Sequence, residues 1–281
     1  MDERALAAVL PRSPSPLLRG WKRFLRHPAA IAGLSMLLLL VLASLLAPFL
    51  TQNDPTRMDL GRALKGLSWG NPLGTDYLGR DLLARLLYGG RLSLFIGFLA
   101  VGIGVALGVP LGALSGFFRG WPDMLIQRVT DVMLSFPGIL LALSLVAILG
   151  VGLQNVIISV GISSIPVFIR QVRGSVLGIR EQTYVESARA VGVPTGAIIF
   201  RHVLPNAMAP IIVQATLKLG TSILLAAGLG FLGLGVQPPT PEWGAMLGEG
   251  RQYIFSAGNM VTFPGMAIFL AVLGFNLLGD G

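Results

Sequence analysis

The chain has no cysteine in 281 residues. That excludes disulfides, thiolate zinc sites, iron–sulfur ligation and cysteine nucleophiles. Histidine occurs only as His27 and His202, so a histidine-based metal centre would need many carboxylate partners, and no metal site is expected. Lysine is limited to Lys22, Lys65 and Lys218, and none of them sits in the glycine-rich context of a phosphate-binding P-loop. The polypeptide is therefore not expected to hydrolyse ATP itself. Charge is scarce at 12% of residues, about half of what a soluble domain carries. Apolar residues make up 53% and the mean hydropathy is +0.75. A water-soluble fold could not hide that much apolar surface, whereas a bilayer could. The net charge of +8 then reads as basic loops facing anionic lipid, and no nucleic-acid partner is expected.

What is present is a series of long uncharged stretches. Residues 29–50 carry no charge and suffice to cross a hydrocarbon core of about 30 Å as an uncleaved first span. Residues 92–118 form a second. Asp131 and Arg170 bracket 38 uncharged residues, too long for one span, with a turn expected at Gly150–Asn155. That division places spans at 132–149 and 154–170. A fifth runs over 207–236, broken only by Lys218, and a sixth over 259–278. The fold class is an all-α polytopic bundle of six transmembrane helices. Its domains are a basic, proline-containing tail over 1–28, the first helix over 29–50, an external loop over 51–91 with an interfacial helix, and a five-helix core over 92–281. The segments expected inside (1–28, 119–131, 170–206) hold 13 basic residues against 7 outside (51–91, 237–258), which places the N-terminus in the cytoplasm.

Ala100, Gly104, Gly108, Gly112, Gly116 and Gly120 put a small residue at every fourth position of the second span. This ridge lets another backbone approach closely, in this chain or in a partner. Prolines fall in or beside every later span: Pro110, Pro137, Pro166, Pro210 and Pro264. Gly228-Leu229-Gly230-Phe231-Leu232-Gly233 has dinucleotide-binding spacing but lies in an apolar span without a βαβ context, so it carries no such function. Asp76/Arg80 and Asp81/Arg85 are spaced as helical i,i+4 pairs, each worth about 0.2–0.5 kcal/mol, on an interfacial helix leading into the second span. Lys218 lies about a dozen residues into its span, where a charge usually faces water or a partner. It is expected to face a translocation cavity.

The segment 170–206 is long for a loop in so compact a chain. Glu181–Ala190 has helical composition, Gly192 breaks it, and Pro194-Thr195 opens a second short helix to about residue 203. Its small residues (Ser187, Ala188, Ala190) offer little area to a lipid surface and suit insertion into a protein groove.

At this segment the sequence resembles a family. Glu186-Ser187-Ala188, then Arg189 and two more residues, Gly192, and after a further gap Leu204-Pro205, look like the "EAA" coupling loop of bacterial ABC importer permeases. Ser187 replaces the second motif residue, and His202 stands where many members have Ile. Leu73-Gly74-Thr75-Asp76, Gly79-Arg80-Asp81, Phe231–Pro239 and Trp243-Gly244 are similar to the second permease of dipeptide, oligopeptide and nickel importers. The resemblance implies a type I importer permease in the bacterial inner membrane. It further implies a homologous second permease, two ATPase subunits that bind the ATP and Mg²⁺, and an external substrate-binding protein. Glu186, Ser187, Ala188, Arg189, Gly192, Leu204 and Pro205 would couple to an ATPase, with Pro205 stopping the short helix. The competing reading is a non-transporting scaffold or intramembrane enzyme built on the same six spans.

Overall fold

The computed structural model describes residues 27–280. The basic tail assigned to 1–28 lies outside the described residues up to residue 26.

Among the described residues the secondary structure is helical, with eleven α-helices and no strand. α1 (Pro28–Leu45) and the single turn α2 (Ala47–Leu50) together make the first span. A loop with one 3-10 turn leads to α3 (Leu82–Phe118). At 37 residues α3 is about 55 Å long, so it passes well beyond a bilayer core. The interfacial helix expected ahead of the second span is thus no separate element. Leu82 begins the same continuous helix, and the core starts at 82 rather than 92.

The third span also differs from expectation. Instead of one helix over 132–149, α4 (Gly120–Ser135) and α5 (Gly138–Leu149) meet at 94°. Pro137 explains the break: the residue before a proline is pushed out of the helical region, and Phe136 is extended at φ −91°, ψ 135°. Pro110, Pro166, Pro210 and Pro264 lie inside intact helices. Among the described residues, five helices are long and apolar enough to cross a membrane, and the bent pair makes a sixth span if counted as one.

The turn at 150–155 is where it was expected. Gly150 and Gly152 take positive φ, and the Asn155 amide donates to the Leu149 and Gly150 carbonyls (2.9 and 3.0 Å). α6 (Leu153–Ile179) follows, longer than the span 154–170 by more than two turns, so the coupling loop begins at 180 and not 170. α7 (Thr183–Ala190) and α8 (Thr195–Ile198) form that loop, a π-helical turn covers Ile199–Val203, and α9 (Leu204–Phe231) returns through the bundle. α10 (Trp243–Gly250), a 3-10 turn and α11 (Asn259–Gly279) complete the chain.

The glycine ridge of α3 meets a partner within this chain, α6. A Cβ on Gly108, Gly112 or Gly116 would lie 2.9, 2.7 and 2.9 Å from the carbonyl oxygens of Ile165, Ile169 and Arg173. Such approach is closer than any side chain permits, so the two backbones pack because the ridge is bare. Gly120 is off the seam; it takes φ +67° in the turn into α4.

Candidate functional site

At one end of the bundle α7 and α8 form a projecting hook. The foot of the hook is apolar. Val185, Ile198, Ile199 and Val203 are buried against Ala113 and Phe117 of α3 and Val172 and Val176 of α6. Burying Val185 fully is worth about 1.5–3 kcal/mol. Ala188, one turn further along and partly buried, packs on the same cluster. On the other face Glu186, Ser187 and Arg189 are exposed, and Val191 is 85% exposed. The Arg189 guanidinium lies 4.9 Å from the Phe117 ring centroid, a cation–π contact that ties the hook's exposed side to α3.

Gly192 ends the hook's first helix at φ +83° with nothing within 4 Å of where a Cβ would stand. Glycine is required there by backbone conformation, not by space. The carbonyls of the last turn are closed by Val191 N–H to Ser187 O and Val193 N–H to Ala188 O.

Leu204 is partly buried in the same apolar cluster and Pro205 is exposed. Pro205 does not stop the short helix. It sits in the first turn of α9, and the chain runs on from α8 without interruption through the π-turn. A proline inside a helix removes one N–H and crowds the carbonyl four residues back. The wider π-turn over Ile199–Val203 accommodates it, and the Asn206 amide donates to the His202 carbonyl at 2.6 Å. The second limb of the hook, α8, is therefore continuous with the long helix α9.

A polar layer underlies the hook. Asp123 of α4 accepts two bonds from Arg173 of α6 (2.7 and 2.8 Å) and one from Ser115 of α3. Arg180 donates to the Phe117 carbonyl at 2.6 Å and to Glu181 at 3.0 Å. These residues carry no motif spacing, and sequence reasoning missed them, as it missed the anchoring role of Val185.

The opposite end is organised differently. Asp76 and Arg80 do pair, at 2.5 Å, but in a loop and fully buried. Asp81 and Arg85 do not. Asp81 caps α3 by accepting from Ala84 N–H (2.7 Å) and also takes the Asn53 and Asn71 amides. Arg85 turns instead to Glu249 of α10 (3.1 Å), to Asp76 (3.5 Å) and to the carbonyls of Pro55 and Pro239. Arg80 also reaches Glu249, at 2.7 Å. Two carboxylates and two guanidiniums thus join the 51–81 loop, α3 and α10 in one buried cluster. Tyr77 stacks on Tyr253 beside it, and burial pushes its phenol above the ordinary range. Nearby, Glu242 caps α10 and accepts from Ser93 of α3 at 2.7 Å, against the buried Trp243. Gly230 and Gly244 let α9 and α10 close on one another, which accounts for one glycine of the rejected dinucleotide pattern, and Gly233 takes φ +78° just after α9.

Lys218 lies mid-way along α9, half-buried, with no ion pair among the described residues. It is remote from the hook. No group of three or more His, Cys, Asp or Glu that could hold a metal ion occurs among the described residues.

Comparison with known proteins places this architecture. Residues 108–281 match the family described as binding-protein-dependent transport system inner membrane component. This chain belongs to that family. Residues 15–66 match the N-terminal transmembrane domain of oligopeptide transport permease C. The chain is 48% identical to a dipeptide transport system permease protein, DppC, of Alkalihalophilus pseudofirmus, over 95% of this chain and 88% of that one. It is 46% identical to a glutathione transport system permease protein, GsiD, of Pectobacterium atrosepticum, over 99% and 94%. Among solved structures, an inward-facing MetNI methionine ABC transporter chain superposes with a TM-score of 0.58 at 23% identity. The match covers 69% of this chain and 93% of that one, and it supports the fold. The permease is thus a membrane component of an ABC importer. The relatives favour transport over the scaffold or intramembrane-enzyme alternative.

Proposed function

We propose that this permease forms half of a translocation pore for peptides or a related small solute such as glutathione, with a homologous permease as the other half. In this reading the N-terminus and the α7–α8 hook face the cytoplasm, in keeping with the excess of basic residues on that side. Two ATPase subunits bind there and carry ATP and Mg²⁺, and an external binding protein delivers cargo to the opposite end. The observation that carries the proposal is the hook itself. One buried face anchors it, while Glu186, Ser187 and Arg189 stay exposed, and the π-turn makes it continuous with α9. A rigid-body displacement of a groove holding α7 would pass to α9 without being absorbed in a flexible joint. ATP and cargo then each favour one of two global states, and alternating access follows as a population shift.

Glu186→Arg tests this. The residue is exposed and makes no ion pair among the described residues, so folding should be unaffected. In reconstituted transporter, uptake is expected to fall by at least about tenfold, the equivalent of one lost charge-assisted contact. Unchanged uptake in a folded, inserted variant would overturn the coupling role.

A further inference from the structure

Exposed apolar side chains flank the bundle around α4 and α9: Val132 on α4, Phe136 just after it, and Ile212, Val213 and Leu224 on α9. One strip departs from this. A cavity of about 550 Å³ is lined by Leu134, Val167, Arg170, Gln171, Ser175 and Gln214, with Gly174 at its edge. Arg170 of α6 is 59% exposed and bonds Asp131 of α4 at 2.8 Å. Lys218 follows Gln214 by four residues, so it lies on the same face of α9, about 6 Å further along the helix. Thr221 and Leu225 continue that face, and Leu225 packs against a cluster that includes Val156 and Ile157 of α6. The strip therefore runs up the α6–α9 groove from two amides and an arginine to a lysine.

Lys218 lies about a dozen residues into its span, where a charge facing lipid is unfavourable by about 2.5–3.5 kcal/mol, so its end of the strip belongs on a wetted surface. Its chemistry is one-sided. Arg170 and Lys218 are cations, Gln171 and Gln214 supply amide donors, and Asp131 is the single acid, already held by Arg170. A solute with a carboxylate can exchange with Asp131 at Arg170 and meet Lys218, which has no ion pair among the described residues, one step along.

We infer that the α6–α9 groove is a carboxylate-recognising segment of the translocation path, with Lys218 and Arg170 as its specificity-determining residues. The inference rests on the transport reading and adds to it the chemical feature of the cargo that the pore itself selects. Because it concerns a path already crossed by bound cargo, it is separable from recognition by the external protein.

The test uses the complete transporter in proteoliposomes, with dialanine and glutathione as probes, each compared with its C-terminally amidated form. The same binding protein serves every variant, so its own preference cancels between variant and wild type. Lys218→Gln is expected to lower uptake of the free acid about tenfold while changing the amide less than about twofold, and Lys218→Arg to restore the discrimination. Equal loss for acid and amide means a structural role and overturns the inference, as does no change for either. If the wild type carries none of the probes, the peptide reading itself has failed and the inference falls with it. Because the chain has no cysteine, Lys218→Cys gives a single thiol. It should react with a water-soluble reagent and be protected by saturating cargo. A thiol that is inaccessible in both the nucleotide-free and ATP-bound transporter also overturns the inference.

Discussion

The two ends of this bundle use charge in opposite ways. At the α10 end Asp76, Arg80, Arg85 and Glu249 are withdrawn from solvent and satisfy one another, joining three segments distant in sequence. At the hook end Val185 is buried and the charges of α7 are left outside, with Glu186 in no ion pair among the described residues. The first arrangement closes a surface on itself. The second leaves a polar surface exposed above an apolar foot of Val185, Ile198, Ile199 and Val203. The same residue types are thus buried and paired at one end and left exposed at the other, where the proposed reading has them meet a partner. Burial, not identity, makes the difference.

Substitutions can break this contrast, and the largest effect is expected in the buried cluster. Glu249→Ala leaves two guanidiniums without one of their two shared acceptors, and breaking a buried pair from one side costs about 3–5 kcal/mol. Thermal unfolding in detergent should show a large fall in Tm, and an unchanged Tm would mean the cluster does not hold that end together. Gly112→Ala places a methyl group against the Ile169 carbonyl in the α3–α6 seam. Overpacking of this kind costs about 1–3 kcal/mol, read as a smaller fall in Tm. Gly192→Ala imposes strain of about 1–2 kcal/mol at φ +83°, confined to the hook. Its expected signature is reduced uptake with the Tm of the bundle little changed, which separates local from global damage. Glu181→Gln should do least. Its bonds to Arg180 and Arg119 are at least half exposed on the glutamate side, and such pairs contribute about 0–1 kcal/mol.

Much of the architecture is legible in the sequence because lipid imposes a simple rule, that long uncharged runs become helices. The spans, the turn at Gly150–Asn155, the break at Gly192 and the glycine ridge all follow from local composition. The ridge's partner does not, since any bare backbone could receive it; only the fold brings Ile165, Ile169 and Arg173 of α6 to it. The third span was misread because absence of charge reports depth and not straightness, and the bend at Pro137 is invisible to hydropathy. Asp81 and Arg85 were misread as a surface pair because i,i+4 spacing presumes a helix that begins only at Leu82. Of the residues expected to couple, Glu186, Ser187 and Arg189 mark the exposed face of α7. The buried Val185 and the Asp123–Arg173 layer beneath it depend on contacts between elements 50 residues apart and leave no local pattern.

The central claim is that α7 enters a groove on an ATPase subunit. The direct measurement is cross-linking from Ser187→Cys, the only thiol in the variant chain, in the purified transporter with and without ATP. The account predicts a covalent adduct between this permease and an ATP-binding partner, with a yield that changes on adding nucleotide. A folded, transport-competent variant whose thiol reacts freely with small reagents yet forms no adduct with any ATPase would contradict it.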